Sequence, residues 1–485
     1  VAWKIPIPWL YALPLVCALV PAAGAQQQAG KPSTRVTDLP ALLEAAEKRD
    51  PGLRSAEHAI TAARARLGEA WVSPFFAFNA TTSFALAPEA SGTPVVSPDS
   101  EFPVENRWLP VFRAEVKGAV PLWTFGKLGA ARDAARAGIQ GAELERERTR
   151  AKLVLNVRKA YFGLQLALDT QQMISEGKEK LEKAVKRLKE RLEEGDTEVN
   201  PSDQYRLSST LAEVEARSSE AASLEAATRA ALRILTGIRE VRVPDCPLEA
   251  VDFEVKEVSA YQIIARQNRP ETGILGAAID ASKADVDATR SKYLPDIGLA
   301  LHAGISHAPG VTDQSNPFVS DPANYHSYGA ALVARWSLDI WGNTFRDRRA
   351  TATLMQARSG LEQALEGIEL DVSAAHTELL NAVRRLQAWE SGHRDARRWF
   401  IAAAQAEQLG VGEAEELVDA VRAYFKSRYE HMQAIHDFDM AVARLEQAVG
   451  TRLLDPDAWR QRCDEEPDED ADEEPAKDAS DEKGE

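Results

Sequence analysis

The sequence predicts a mainly α-helical protein made of two internal repeats, each a leading helix, two β-strands and a long helical hairpin. Three observations predict it. Two proline-free runs, Leu122 to Asn200 and Ala323 to Asp455, are rich in the strong helix formers Ala, Leu, Glu, Arg and Lys. Close to the opening of each run, apolar residues alternate at a period of two, the signature of a strand. The order also recurs at similar spacing: Gly126 to Gly237 spans 111 residues and Gly342 to Gly450 spans 108.

With 485 residues, 27% charged and 7% aromatic, the chain has the composition of a long-helix or coiled-coil protein. Its formal net charge is −17, of which −11 lies beyond Cys463. Residues 456–485 are therefore expected to form a solvated, disordered acidic tail. No basic or aromatic cluster points to nucleic acid. Phosphate loops, metal motifs and nucleophile arrangements are also missing, so neither an enzyme nor a cofactor site is expected.

Residues 1–25 combine Lys4, an apolar run from Ile5 to Val20 and Ala23-Gly24-Ala25, which together read as a secretory signal peptide cleaved after Ala25. No later stretch is long and apolar enough for a transmembrane helix, so any membrane insertion must use strands. Cys17 raises lipidation, but Val16 stands where a small residue would be needed. The remaining cysteines, Cys246 and Cys463, follow the two repeats; they form either a disulfide in an oxidising compartment or two free thiols.

The first repeat is placed at 26–240. Asp38 to Val72 is helical with an interruption at Asp50-Pro51, and strands follow at 75–87 and 110–121, joined by a polar loop from Pro88 to Arg107. In the second strand Phe112, Ala114 and Val116 oppose Arg113, Glu115 and Lys117. A face turned to water and another turned to lipid explain that split, although a half-buried soluble sheet alternates in the same way. The hairpin 126–236 runs out through Leu181, Val185, Leu188 and Leu192, spaced as a helix–helix seam, and turns near Gly195 and Asp196. Thr236-Gly237 stops the return.

The second repeat, 241–455, follows the same plan. A helix from Tyr261 to Lys292 leads to strands at 296–306 and 328–338, with His302 and Arg335 on their polar faces and a loop from His307 to Asn324 between them. The hairpin 343–450 turns at Gly410-Val411-Gly412. Counting back 34 residues from each terminal glycine lands on an acid just past the tip, Asp203 and then Glu416. His431 and His436 are five apart and do not share a helix face, so no metal site is expected there.

Several short motifs fall at matching places in this order: Leu232-Arg233-Ile234-Leu235-Thr236-Gly237 and Ala448-Val449-Gly450-Thr451 end the repeats. Tyr293-Leu294-Pro295 precedes a strand, and Pro121-Leu122-Trp123 with Phe125-Gly126 leaves one. Taken in this order, they make the chain resemble the TolC-like outer-membrane efflux channel family from Asp38 to Asp455. The resemblance implies a homotrimer whose four strands per chain close a twelve-stranded transmembrane β-barrel, continued by a periplasmic α-helical barrel. It implies passive conduction out of the cell, in a tripartite efflux pump or type I secretion system, with a periplasmic adaptor and an inner-membrane RND or ABC pump as partners.

The resemblance also assigns residues. Glu416 and Asp419, within Glu416-Leu417-Val418-Asp419-Ala420, match acids that line the family's periplasmic entrance, and Asp203 is their counterpart in the first repeat. Gly195, Asp196, Gly410 and Gly412 become adaptor contacts, while Arg113, Glu115, Lys117, His302 and Arg335 become pore lining. Gly412 and Glu413 stand where a latch arginine would be sought, which leaves Arg422 as a substitute. The alternative is a periplasmic coiled-coil spacer without a pore.

Overall fold

A computed structural model of the chain describes residues 38–75, 77–90, 104–193, 201–243, 247–314, 318, 320–409 and 414–459. The signal peptide and Cys17, the tip residues Gly195, Asp196, Gly410 and Gly412, the cysteines Cys246 and Cys463, and the tail beyond 459 lie outside these residues.

The chain begins with α1 (Leu39–Arg49) and α2 (Pro51–Val72). Proline fits the first turn of a helix because its missing N–H would be unpaired there anyway, and the Asp50 carboxylate accepts from the Leu53 N–H at 2.8 Å. The second repeat breaks at the same place. The single helix expected from Tyr261 to Lys292 is two, α5 (Val258–Asn268) and α6 (Pro270–Ser291), because Pro270 cannot continue a helix and restricts Arg269 to extended backbone.

Four antiparallel strands form one sheet in the order β1 (Phe78–Ala90), β2 (Val104–Trp123), β3 (Asp296–His307), β4 (Tyr325–Arg335). Their bounds differ from those the sequence predicts. Ser73–Phe75 is a helical turn, so β1 starts at 78 rather than 75. It then continues through Pro88 with a register shift at Pro88/Glu89. Proline is tolerated there because β1 is an edge strand, whose outer side needs no N–H partner. The first loop is accordingly shorter than Pro88 to Arg107. β4 lies three residues earlier than expected, since the chain leaves the sheet after Arg335. The Trp336 indole then donates to the Tyr293 carbonyl at 3.0 Å.

From the sheet run α3 (Lys127–Glu193, 67 residues) and α7 (Ile340–Gln408, 69 residues), each about 100 Å at 1.5 Å per residue. Each is followed by a 36-residue return helix, α4 (Pro201–Thr236) or α8 (Ala414–Val449). α7 starts three residues before the expected 343 because Asp339 caps it, its carboxylate accepting from the Gly342 N–H at 3.0 Å. Both return helices end on a glycine in the left-handed region, Gly237 and Gly450, each at φ +78°. A side chain would be strained there, and it would also collide with the break in the leading helix. A Cβ on Gly237 would lie 1.9 Å from the Arg49 guanidinium, and one on Gly450 would lie 2.9 Å from the Arg269 Cα.

The main core sits at the waist, where α1, α5 and residues 241–243 and 247–255 of the connection pack on the middle of α3, the C-terminal part of α8 and α7. Two carboxylates pin the connection, a half-buried one and a buried one: Asp169 accepts from the Leu248 N–H at 2.8 Å and Asp439 from the Val251 N–H at 3.0 Å. Burial pushes the Asp439 carboxyl up to about 7. Arg158 of α3 and Glu446 of α8 form a buried ion pair. The second Glu446 oxygen accepts from the Leu453 and Leu454 N–H groups at 2.9 and 3.0 Å.

The Arg158 guanidinium also stacks 4.3 Å from the Trp459 ring, which packs on Phe162. Pro456–Trp459 is therefore an ordered helical turn, and the tail expected from 456 does not begin there. The reason is burial: Trp459 is 4% exposed and belongs to the core.

Removing one member of a buried pair leaves the other charge uncompensated, at a cost of about 3–5 kcal/mol. Glu446→Ala is expected to lower stability by that order. Glu446→Gln, which keeps an acceptor for the Leu453 and Leu454 N–H groups, is expected to cost less. Thermal unfolding of the purified protein, followed by circular dichroism, checks both.

Candidate functional site

The sheet register sorts the strand residues into two unlike faces. Arg113 lies opposite Ser83 and Ser306, Glu115 opposite Thr81 and Gly304, and Lys117 opposite Asn79 and His302. His302 in turn faces Gly329, and Asp296 faces Arg335. Arg113, Glu115, Lys117, His302 and Arg335 therefore share one face, with Asp296 among them. Lys117 pairs with Glu115 at 2.5 Å, and Lys127, at the head of α3, reaches Asp296 at 2.7 Å.

The opposite face is apolar and open. Phe84 pairs with Phe112, Val116 with Ala303, Leu299 with Leu332 and Ala303 with Tyr328. Phe84 is 79% exposed, Tyr328 86% and Leu332 71%. A continuous exposed apolar face of this kind is a contact surface for lipid or protein. Among the described residues, β1 and β4 each have one side without a partner strand. At the end where β2 leaves the sheet, Trp123 and Trp341 are also exposed.

About 100 Å away along the hairpins, Glu416 is the third residue of α8, where the positive end of the helix favours a carboxylate. Asp419 follows one turn on, and both are exposed. Asp203 is likewise the third residue of α4, though its side chain lies outside the described set. The sequence singles out Arg422 without its partner, and the other contacts that tie the two hairpins together above these acids carry no signal in it. Arg422 of α8 pairs with Glu213 of α4 at 3.6 Å, and Arg428 pairs with Glu176 of α3 at 2.9 Å. Arg217 of α4 lies 5.4 Å over the Tyr429 ring, and Phe425 packs against Gly177. Exposed pairs of this kind contribute about 0–1 kcal/mol each.

An aromatic column joins α7 to α8 in the same region. Phe400 stacks on Tyr424 at 5.3 Å, Tyr424 lies 5.4 Å from His393, and His393 stacks on His431 at 5.7 Å with an interplanar angle of 12°. His431 thus has its partner on the neighbouring helix, while His436 contacts Asp437 at 3.3 Å. Burial, with His431, Arg428 and Arg397 nearby, pushes His393 down to about 4, and burial also lowers His431. The only signal for this pair was the presence of both imidazoles, since helix periodicity does not say which residues of α7 and α8 stand level.

A family model described as "Outer membrane efflux protein" matches residues 42–238 and 264–451. Over 326 residues the chain is 24% identical to the outer membrane protein TolC of Vibrio cholerae, covering 66% of this chain and 72% of TolC. Over 330 residues it is 25% identical to the alkaline protease secretion protein AprF of Pseudomonas aeruginosa, covering 64% of each. Its fold is similar to the open state of the Neisseria gonorrhoeae MtrE outer membrane channel, with a TM-score of 0.69 at 17% identity, covering 86% of this chain and 89% of that one.

The His393–His431 stack makes a pH dependence. Both imidazoles take up protons more readily when unfolded, so their contribution is present above about pH 6.5 and is lost as pH falls, for His393 through about 4. Replacing both with Phe should leave the α7–α8 hairpin stable at neutral pH and less sensitive to acid. Hydrogen exchange of the two helices at pH 7 and pH 4.5 should show a difference between the proteins only at the lower pH.

Proposed function

This chain belongs to the outer membrane efflux protein family, and on that premise we propose that it is the subunit of a trimeric outer-membrane duct that conducts substrates passively out of the cell. The observation that carries the proposal is the sheet: charged on one face, exposed and apolar on the other, and open at both edges. In lipid, every backbone N–H and C=O must be paired, so an open four-stranded sheet has to close on further copies. Three copies give twelve strands, enough to surround a water-filled lumen lined by Arg113, Glu115, Lys117, His302 and Arg335. A periplasmic spacer without a pore would leave Phe84, Tyr328 and Leu332 in water.

The long helices extend the lumen into the periplasm. Their tips, around Gly195, Asp196, Gly410 and Gly412, are the place for a periplasmic adaptor and, through it, an inner-membrane RND or ABC pump. The duct itself needs no cofactor, because the pump supplies the energy. Glu416 and Asp419, with Asp203 as the first-repeat counterpart, form rings of carboxylates around the entrance when three copies assemble. Such rings favour cations and bind divalent ions. Arg422, paired with Glu213 at 3.6 Å, holds α8 of one hairpin to α4 of the other, and the pair has to part when the entrance widens.

Two measurements test this reading. Detergent-extracted protein should run as a trimer and give discrete single-channel currents in a planar bilayer; a monomer without conductance would overturn the duct. Glu416→Ala combined with Asp419→Ala should raise resting conductance and weaken block by divalent cations several-fold. Traces unchanged in both respects would remove these residues from the entrance.

A further inference from the structure

The connection between β3 and β4 is internally braced. The Asn324 side chain accepts from the Ala308 N–H at 2.7 Å and donates to the Val311 carbonyl at 3.0 Å. The Asp321 carboxylate accepts from the N–H groups of Gln314, Ala323 and Asn324 at 3.1, 2.8 and 3.0 Å. The neighbouring hairpin adds a backbone tie: the Ala90 N–H donates to the Gly310 carbonyl at 2.9 Å, and the Thr312 N–H donates to the Ala90 carbonyl at 3.2 Å. Ala308 is buried as a result. Side chains that satisfy the backbone in this way hold a loop in one shape.

Two contacts fix which side of the sheet the connection occupies. The β1–β2 ladder continues to Ala90 and Val104, whereas the β3–β4 ladder stops at Ser306 and Tyr325, so β1 and β2 project past their neighbours. Leu109 and Arg113 sit on the projecting part of β2 or at its base, at odd-numbered positions shared with Glu115 and Lys117. A Cβ on Gly310 would lie 2.6 Å from the end of the Leu109 side chain. Arg113 donates to the Pro322 carbonyl at 3.0 Å. Both arms of the connection therefore lean over the charged face and away from the apolar one.

We propose that residues 308–314 and 320–324 form a fixed inward collar that narrows the outer mouth of the duct and sets the upper size of what can leave it. The proposal rests on the channel reading above, since only a closed barrel turns the charged face into a lumen. In a trimer three collars converge, each reducing the aperture by the thickness of a packed chain. Gly310 suits the seat because it leaves room for the end of the Leu109 side chain.

Two experiments separate this inference from the channel reading. In protein with Cys17, Cys246 and Cys463 replaced by Ser, Leu109→Cys with Gly310→Cys places sulfurs on Cβ positions that lie 3.1 Å apart, a few tenths short of the separation a disulfide prefers. Oxidation should cross-link the pair within each folded chain. Failure to cross-link overturns the inward placement whether or not the protein conducts. In the second, residues 308–323 are replaced by Asn-Gly, a two-residue hairpin turn that keeps Ser306 opposite Tyr325. Single-channel conductance should rise at least twofold, and larger polyethylene glycols should enter the pore. An assembled trimer with unchanged conductance and polymer cut-off would overturn the collar. A wild-type protein that carries no current would instead overturn the duct itself.

Discussion

The ladder between β2 and β3 is the constraint the rest of the molecule depends on. It pairs Phe112–Trp123 of one repeat with Ile297–His307 of the other, strands far apart in the chain. Once it forms, Lys127 at the head of α3 lies beside the Leu294 carbonyl and Asp296, at 3.2 and 2.7 Å, and α3 packs along α6. A slip of one residue in this register would turn Arg113, Glu115 and Lys117 to the face of Phe112 and Val116. Membrane compatibility and the setting of the long helices are therefore fixed by the same set of backbone hydrogen bonds.

Farther down, the waist is held by charges that would be costly alone. The Arg158–Glu446 pair joins the first repeat to the second, and the free side of each partner is occupied, by Trp459 on one side and by the Leu453 and Leu454 N–H groups on the other. Asp169 and Asp439 supply one anchor each to the connection between repeats. A buried network of this kind specifies one arrangement, because any shift leaves a buried charge or N–H without its partner. Below it, the hairpins are joined by half-exposed pairs such as Arg422–Glu213, which cost little to break. The fold is thus held firmly at the waist and weakly near the tips.

Much of this was legible in the sequence. Proline-free runs of helix formers gave the hairpins, a period of two gave the strands, and the recurrence of both gave the repeats. The odd and even positions of β2 and β3 were assigned from alternation alone, and the register places Arg113, Glu115, Lys117, His302 and Arg335 together. The errors came where a single residue was read by its usual meaning. Pro88 by its usual meaning ends a strand, but an edge strand tolerates it; Pro270 splits a helix as Pro51 does. Trp459 stands among charged neighbours that suggest a tail, yet its own apolar surface decides its place. Contacts between helices, such as His393 with His431 and Arg422 with Glu213, depend on the relative heights of two long rods, which neither periodicity nor composition encodes.

The two glycine seats have a consequence of another kind. Gly237 and Gly450 hold the same backbone angle at the same place in each repeat, but what fills the seat differs: an arginine side chain beside Gly237, an arginine backbone against Gly450. A side chain can swing aside and a backbone cannot. After a duplication, then, both copies keep the strain of the left-handed backbone, and only the second also has a backbone closing the space beside it. The molecule carries its own internal comparison of how much freedom a left-handed turn can be given before divergence has to stop.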